Sequence, residues 1–372
     1  MSKTSTDDAR SYRIQIAGTP DGGDRVPDLT PREASERWLS KLRVSKAEST
    51  VSSYEYRLKH LIEWCEDQGI TEINELTGWD IESFETHRRE QGLSPLSLNK
   101  ELGTLKNFLE YCSRVELVDE SLPEKVDPPD VPRDDHVDET QLHADDAEAL
   151  LEYYRNNTDD RVRYSRDHAL LALAWYTGAR LGGLRSLDVN DYNAEEEYVQ
   201  FTHNPDQDTP LKNGRDGERI VGLPSHVCDI LDGYIAKERH EVFDDYGREP
   251  LLASQLGRVS KNALRTWMYL ATVPCLHSDC PHGNERPTCE FVDYSQASKC
   301  PSSRSPHQVR TGSITWQLNR GVPPQVVADR VNTSVRVIKR HYDQPTKLEE
   351  MRERRQDHLD SLDFDDEGGE GE

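Results

Sequence analysis

The stretch His307-Gln308-Val309-Arg310 lies in a helix-like run near the end of a chain of 372 residues. Residues three apart on a helix share a face, so His307 and Arg310 are expected to reach one ligand. A second arginine, Arg180, stands far upstream in Tyr176-Thr177-Gly178-Ala179-Arg180-Leu181. Arginine stays charged and donates two parallel hydrogen bonds, which suits the non-bridging oxygens of a phosphate. The pattern therefore indicates a phosphodiester site.

Breaking a phosphodiester also needs a nucleophile and a proton source for the leaving oxygen. Tyr342 is the candidate nucleophile, 32 residues after Arg310. A phenol is a weak nucleophile at its ordinary pKa near 10, so the cations of Lys339 and Arg340 are expected to favour its phenolate. Lys212 lies in a turn-rich segment between the two arginine motifs, with Arg215 as the alternative in the same turn.

This order of arginine, lysine, histidine-x-x-arginine and tyrosine resembles the tyrosine recombinase (phage integrase) family of DNA strand-exchange enzymes, in the versions found in halophilic archaea. The resemblance covers roughly residues 30–348. It implies a mainly α fold, with an N-terminal helical core-binding (SAM-like) domain. An α+β catalytic domain of the DNA breaking-rejoining fold, with a small antiparallel sheet, follows.

The resemblance also implies a reaction and partners. Tyr342 would form a 3′-phosphotyrosyl intermediate, Lys212 would protonate the leaving 5′ oxygen, and His307 would act as acid or base. No cofactor is expected for catalysis. The expected partners are double-stranded DNA with inverted recognition sites and further copies of the chain, as a dimer or tetramer on DNA.

The chain departs from the family pattern at several positions. Asn332 stands where the family has a histidine or tryptophan, with His341 as a candidate substitute. Gly183 replaces a common acidic residue, and Thr311 replaces a second histidine. These changes keep open the alternative of a catalytically impaired DNA-binding regulator of the same fold. A type IB topoisomerase-like enzyme, which would use the same chemistry on one duplex, is a second alternative.

The net charge of −24 is unfavourable for a DNA-binding protein, whose affinity comes largely from Lys and Arg. The acidic excess is uneven, however. Residues 117–148 contain 2 basic and 12 acidic residues, and residues 349–372 contain 3 and 11, whereas residues 149–348 contain 25 and 26. The region with the motifs is therefore nearly neutral.

Arginine outnumbers lysine by more than two to one, and aspartate is abundant. This composition is typical of proteins from a high-salt cytoplasm, where charges are screened over about 3 Å at 1 M salt. An ordinary protein with acidic tails is the alternative. No apolar run is long enough to span a membrane and no signal peptide is evident, so a cytoplasmic, nucleoid-associated protein is expected.

Local signals predict five segments. Thr30-Pro31, Thr77 with Asp80, and Ser94-Pro95 mark helix starts in a small bundle. Prolines indicate an extended linker after it. The segments are a disordered tail (1–28), a helical DNA-binding domain (29–118), a Pro/Asp-rich linker (119–140), the catalytic domain (141–348), and a C-terminal helix with an acidic tail (349–372). The candidate DNA-binding residues are Arg43, Lys46, Arg57, Lys100, Lys106, Lys339 and Arg340.

A Cys/His-rich insertion, residues 274–301, indicates a second kind of site. Its candidate ligands are Cys275, Cys280, Cys289 and Cys300, with His277 and His282 among them. Four thiols in an intracellular chain favour a structural Zn²⁺ over disulfides. Reduced loop cysteines or redox pairs are the alternatives. The remaining cysteines, Cys65, Cys112 and Cys228, are expected in the core.

Overall fold

The computed structural model describes residues 27–131 and 140–341, without the side chains of residues 340 and 341. The chain divides into two compact units, Met1–Val137 and Asp138–Glu372. Within the described ranges, no helix has the length and apolar character needed to cross a membrane. The predicted tail (1–28, but for its last two residues) and the C-terminal segment (349–372) lie outside the description.

The first unit is a bundle of four helices: Pro31–Arg43 (α1), Glu48–Gln68 (α2), Gly78–Glu90 (α3) and Pro95–Arg114 (α4). The predicted starts are confirmed. Thr30 and Thr77 each form a capping box, with Glu33 and Asp80 respectively, and Ser94 accepts from the backbone of Ser97. These bonds satisfy amides that the first helical turn leaves without partners.

Aromatic side chains fill the core of this bundle. Trp38 stacks on Tyr54 with ring centroids 5.4 Å apart, and Trp64 meets Phe84 edge-on at 5.8 Å. The predicted linker differs from expectation at its beginning. Residues Leu122–Lys125 form a 3₁₀ turn, and Leu122 and Val126 are buried in the bundle core. This part of the proline-rich segment therefore packs as part of the bundle, because its apolar side chains gain more from burial than from extension.

The second unit is helical with small antiparallel sheets, as predicted. Its helices are Ala144–Arg155 (α5), Asp160–Arg163 (α6), Arg166–Thr177 (α7), Leu181–Ser186 (α8), Ser225–Lys237 (α9), Lys261–Ala271 (α10), Pro306–Asn319 (α11), Pro324–Val331 (α12) and Val335–His341 (α13). Its strands are Tyr192–Asn193 (β1), Tyr198–Phe201 (β2), Arg219–Gly222 (β3), Ala253–Ser254 (β4) and Gly257–Arg258 (β5). The first three strands pair in the order β1-β2-β3, with Val199 opposite Val221, and β4 and β5 form a separate hairpin.

Helix α7 runs through the middle of the second unit. Every residue from 168 to 175 is at most 2% exposed, as expected for a helix surrounded by others. Gly312 lets α11 pack closely against the backbone at Leu142, because a Cβ at position 312 would lie 1.9 Å from the carbonyl oxygen of Leu142. Cys65, Cys112 and Cys228 are buried, which confirms the prediction for these three thiols.

His168 in α7 is a fully buried histidine. Its Nδ1 donates to the carbonyl of Arg163, its ring stacks on Tyr154, and Nε2 has no hydrogen-bond partner among the described residues. Burial lowers the pKa of His168 from 6.5 to about 4. Between these values the unfolded chain binds a proton that the folded chain does not, so stability is lost as pH falls.

We predict that His168→Asn, which retains a donor for Arg163, reduces this acid sensitivity. From pH 7 to pH 5 the free energy of unfolding of the native protein should fall by about 2 kcal/mol more than that of the variant. Denaturant titrations at the two pH values measure this difference. Equal losses in both proteins would contradict a neutral, buried His168.

Candidate active site

The C-terminal end of α12 gathers three arginines. The last carbonyls of a helix have no intrahelical donors and carry the negative end of its dipole, so they attract cations. The carbonyl oxygens of three successive residues accept from three different guanidinium groups. The bonds are Arg219 Nε to Arg330 O (2.6 Å), Arg310 Nη1 to Val331 O (2.8 Å), and Arg180 Nη1 to Asn332 O (2.6 Å).

Arg310 is the most buried of the three, with 2% of its surface exposed. Its Nη1 also donates to the carbonyl oxygen of Gly178 at 2.5 Å, which joins α11 to the end of α7. Gly178 has φ +57, a left-handed conformation that disfavours other residues. A Cβ at this position would also lie 2.7 Å from Val331 Cγ1. The glycine of the first motif therefore permits both the turn and the approach of α12.

Arg180 is the residue that precedes α8, with an extended backbone. The turn that places it is fixed by Thr177, whose Oγ1 accepts from the amide of Ala179 at 3.2 Å. Arg180 is half-buried, whereas its predicted companion Arg310 is buried. The structure thus brings the two predicted arginines together at one helix end, although 130 residues separate them in the sequence.

Arg219, the third arginine, was not among the residues predicted for the site. It lies in β3, and its guanidinium stands 4.0 Å from the ring centroid of Phe201. Burial, together with the charges of Arg310 and Arg180, lowers the pKa of Arg219 to about 10. Three cations held this close to one another form a site that favours an anion.

The turn carrying Lys212 lies between β2 and β3 and is fastened to the same helix end. Asn332 Oδ1 accepts from Asn213 Nδ2 at 2.5 Å, and Asn332 Nδ2 donates to the carbonyl of Asp216 at 3.2 Å. Asn332 has φ +52, which asparagine tolerates better than most residues. The side chains of Lys212 and Arg215 are exposed, so both are free to reach a ligand that binds at this site.

His307 is the second residue of α11 and is exposed. Ser305 and Gln308 form the capping box that begins this helix, and the positive end of the helix dipole lies at His307. Gly183 and Thr311 are the two other departures from the family pattern. A Cβ on Gly183 would lie 3.4 Å from the ring of Phe201, and Thr311 Oγ1 donates to the carbonyl of His307 at 3.0 Å.

Helix α13 leads to the predicted nucleophile. Its Ile338 is fully buried against α11 and α12, and its Lys339 is exposed. Tyr342 and the side chains of Arg340 and His341 lie outside the described residues, so their predicted roles stay predictions.

The first unit has a groove of about 510 Å³, lined mainly by α2 and α4 with Arg88 of α3. Two of the predicted DNA-binding residues, Arg57 and Lys100, line it together with Tyr56 and His60. The other predictions lie apart from this groove. Arg43 is within 3.9 Å of Glu48 and 3.8 Å of Glu55, Lys46 is exposed after α1, and Lys106 Nζ donates to the carbonyl of Val126 at 3.4 Å.

The Cys/His-rich insertion joins α10 to α11. Its four cysteines line a single cavity, and His282 lines it as well. His277 lines a different cavity, beside Leu142 and Arg304. Among the described residues, no group of three or more His, Cys, Asp and Glu side chains is arranged as a metal site.

Comparison with known families agrees with this geometry. The model of the phage integrase family matches residues 140–348, more than half of the chain. The chain belongs to the phage integrase family. The model of the phage integrase N-terminal SAM-like domain matches residues 36–115. The predicted family and the predicted pair of domain types are therefore confirmed.

Individual relatives are distant. Tyrosine recombinase XerD from Oceanobacillus iheyensis is 25% identical over 229 residues, which are 60% of this chain and 71% of that protein. Tyrosine recombinase XerC from Roseiflexus castenholzii is 26% identical over 211 residues, 56% of this chain and 62% of that protein. A structure of the Tn1549 transposon integrase in complex with transposon right end DNA is 16% identical, with a TM-score of 0.58. The match covers 90% of this chain and 99% of the chain in that structure, and the likeness shows that the two share a fold.

We predict that Gly178→Ala destabilises the second unit by at least about 2 kcal/mol. The new methyl group combines a left-handed backbone with a contact of 2.7 Å to Val331. Gly182→Ala is the matched control, because its Cβ would meet nothing within 4 Å and its change should stay within about 1 kcal/mol. Chemical denaturation compares the two variants. A loss at Gly178 no larger than at Gly182 would contradict the packing of α12 on this turn.

Proposed function

We propose that the chain is a site-specific DNA recombinase or integrase of the tyrosine type. The convergence of Arg180, Arg219 and Arg310 on the end of α12 carries this proposal. Such a cluster neutralises the charge that develops on a phosphate during transfer, a role that a metal ion fills in other enzymes. The relatives named as tyrosine recombinases support the same chemistry.

In the proposed reaction, Tyr342 Oη attacks a DNA phosphorus atom. The new O–P bond gives a 3′-phosphotyrosyl link, and the P–O5′ bond breaks. Arg180 and Arg310 bind the non-bridging oxygens through charge-assisted hydrogen bonds. His307 takes the phenolic proton, and Lys212 donates a proton to the leaving 5′ oxygen. The 5′ hydroxyl of a partner strand then attacks the phosphotyrosine and reverses each step.

Two residues act through others. Asn332 positions the Lys212 turn through Asn213 and Asp216, so its amide need not bind the phosphate itself. Arg219 fixes the end of α12 and raises the positive potential around Arg180 and Arg310. His341 stays a candidate for the contact that the family's histidine or tryptophan makes.

The proposed partner is double-stranded DNA with inverted sites. The groove with Arg57 and Lys100 would contact the backbone on one side, and Lys46, Lys339 and Arg340 would add phosphate contacts. Strand exchange requires a second active site to supply the incoming 5′ hydroxyl. We therefore propose a dimer or tetramer assembled on DNA.

The proposed setting is a concentrated-salt cytoplasm, as in halophilic archaea, where the protein would associate with the nucleoid. The excess of acidic residues and the preponderance of arginine over lysine support it. Screening at high ionic strength reduces the repulsion between the acidic segments and DNA.

We predict that Tyr342→Phe abolishes covalent capture of DNA. The test uses a nicked suicide substrate in high-potassium buffer, with products separated on a denaturing gel and binding measured on the same DNA. The native chain should give a covalent protein–DNA band, and the variant should bind DNA without one.

A band that persists in Tyr342→Phe would contradict the assignment of Tyr342 as the nucleophile. Binding without capture by the native chain, on a substrate that carries its site, would favour the impaired regulator instead. Relaxation of supercoils without synapsis of two sites would favour the topoisomerase alternative.

We predict that Arg219→Gln slows cleavage of the same substrate by at least about tenfold, because one cation is removed from the cluster. DNA binding should weaken far less. Arg265→Gln removes an equal charge from an exposed position in α10 and is the control. Equal cleavage rates in the two variants would show that Arg219 has no part in the site.

A further inference from the structure

The insertion between α10 and α11 has almost no hydrophobic core. From residue 274 to residue 302, Ala297 is the one buried residue, and the regular structure consists of four 3₁₀ turns of three residues each. Ordering each residue of a chain costs roughly 1–2 kcal/mol of conformational entropy. Apolar burial cannot offset that cost here, so a segment of this kind needs a covalent or metal cross-link to hold one conformation.

The four cysteines of the insertion surround one small space. Cys275, Cys280, Cys289 and Cys300 all line a cavity of about 10 Å³, which is the room taken by one water molecule or one small ion. Successive cysteines are 5, 9 and 11 residues apart in sequence, so the three loops between them begin and end at this cavity. All four are free thiols, and all are partly buried. Tetrahedral coordination by four thiolates is the preferred structural site of Zn²⁺.

The thiols line the cavity without being arranged as a finished metal site. Neutral thiols do not attract one another, whereas metal binding deprotonates them and draws the sulfur atoms to one centre. Rotation about χ1 moves a cysteine sulfur without moving the backbone. The shared cavity is therefore more informative than the positions of the sulfur atoms, since it shows that the backbone holds the four cysteines around one space.

Arg286 supplies a positive charge beside the cavity. Four thiolates and one Zn²⁺ carry a net charge of −2, and Arg286 Nη1 donates to Cys275 Sγ at 3.4 Å. Hydrogen bonds of this kind stabilise the ligands of a metal.

The two histidines of the insertion differ in position. His282 lines the cavity, but its Nε2 bonds to Ser302 Oγ at 2.9 Å. His277 faces a different cavity, which removes it from the ligand set.

We propose that Cys275, Cys280, Cys289 and Cys300 bind one structural Zn²⁺. The metal replaces the missing core of the insertion and fixes the chain that enters α11. Cys300 lies seven residues before His307, so the bound metal also anchors the start of the helix that carries His307 and Arg310. This site is separate from the proposed DNA chemistry and is tested without DNA.

The first test is a Co²⁺ titration of the reduced full-length protein, because tetrahedral Co²⁺–thiolate centres absorb visible light. We expect these bands to saturate at one Co²⁺ per chain and to disappear when Zn²⁺ is added. Absence of thiolate bands in the native protein would overturn the proposal, and this result does not depend on any variant folding. Bands indicating fewer than four thiolates would overturn the proposed ligand set.

The second test compares metal content by elemental analysis after purification. Cys289→Ala should lose the zinc found in the native protein, whereas Cys228→Ala, which removes a core thiol of the same unit, should retain it. Equal zinc in both variants, or disulfides in place of free thiols in the native protein, would contradict the proposal. In the native protein, a chelator should make the Lys299–Cys300 peptide bond susceptible to trypsin, and added Zn²⁺ should restore protection. Cleavage that is unaffected by the chelator would show that no metal orders this segment.

Discussion

The bonds between three arginines and the end of α12 organise the second unit. Three guanidinium groups would repel one another in a half-buried place without compensating charge. The carbonyls of residues 330–332 supply that compensation, and they also fix where each arginine points. Arg180 precedes α8, Arg219 lies in β3 and Arg310 lies in α11, so this one helix end joins the sheet to two helices. The positive charge thus concentrated is what suits the site to a phosphate.

Features set by local chemistry were predictable from the sequence. A threonine followed three residues later by an acid favours a helix start through local hydrogen bonds, and the starts at Thr30 and Thr77 were placed correctly. The motif residues Arg180 and Arg310 were recognisable by type and order. That both would bind one phosphate was expected from the family resemblance, and the structure places them at the same helix end, with a contact through Gly178.

Features set by tertiary contacts were not predictable in the same way. Arg219 lies in a strand whose pattern gives no sign of Arg310, 91 residues away, or of the Phe201 ring beneath it. Asn332 was identified only as a departure from the histidine or tryptophan of the family, and nothing in the sequence showed that its amide holds the Lys212 turn. The prolines near Leu122 suggested a spacer, because burial in a bundle core depends on partners that no local pattern shows.

A crystal structure of the Tyr342→Phe variant with a DNA half-site tests the central claim most directly. We predict that the non-bridging oxygens of one backbone phosphate lie within hydrogen-bond distance of Arg180 and Arg310. The carbonyls of residues 330–332 should still accept from the three arginines. A phosphate bound elsewhere, with the arginines turned away from the DNA, would contradict the account.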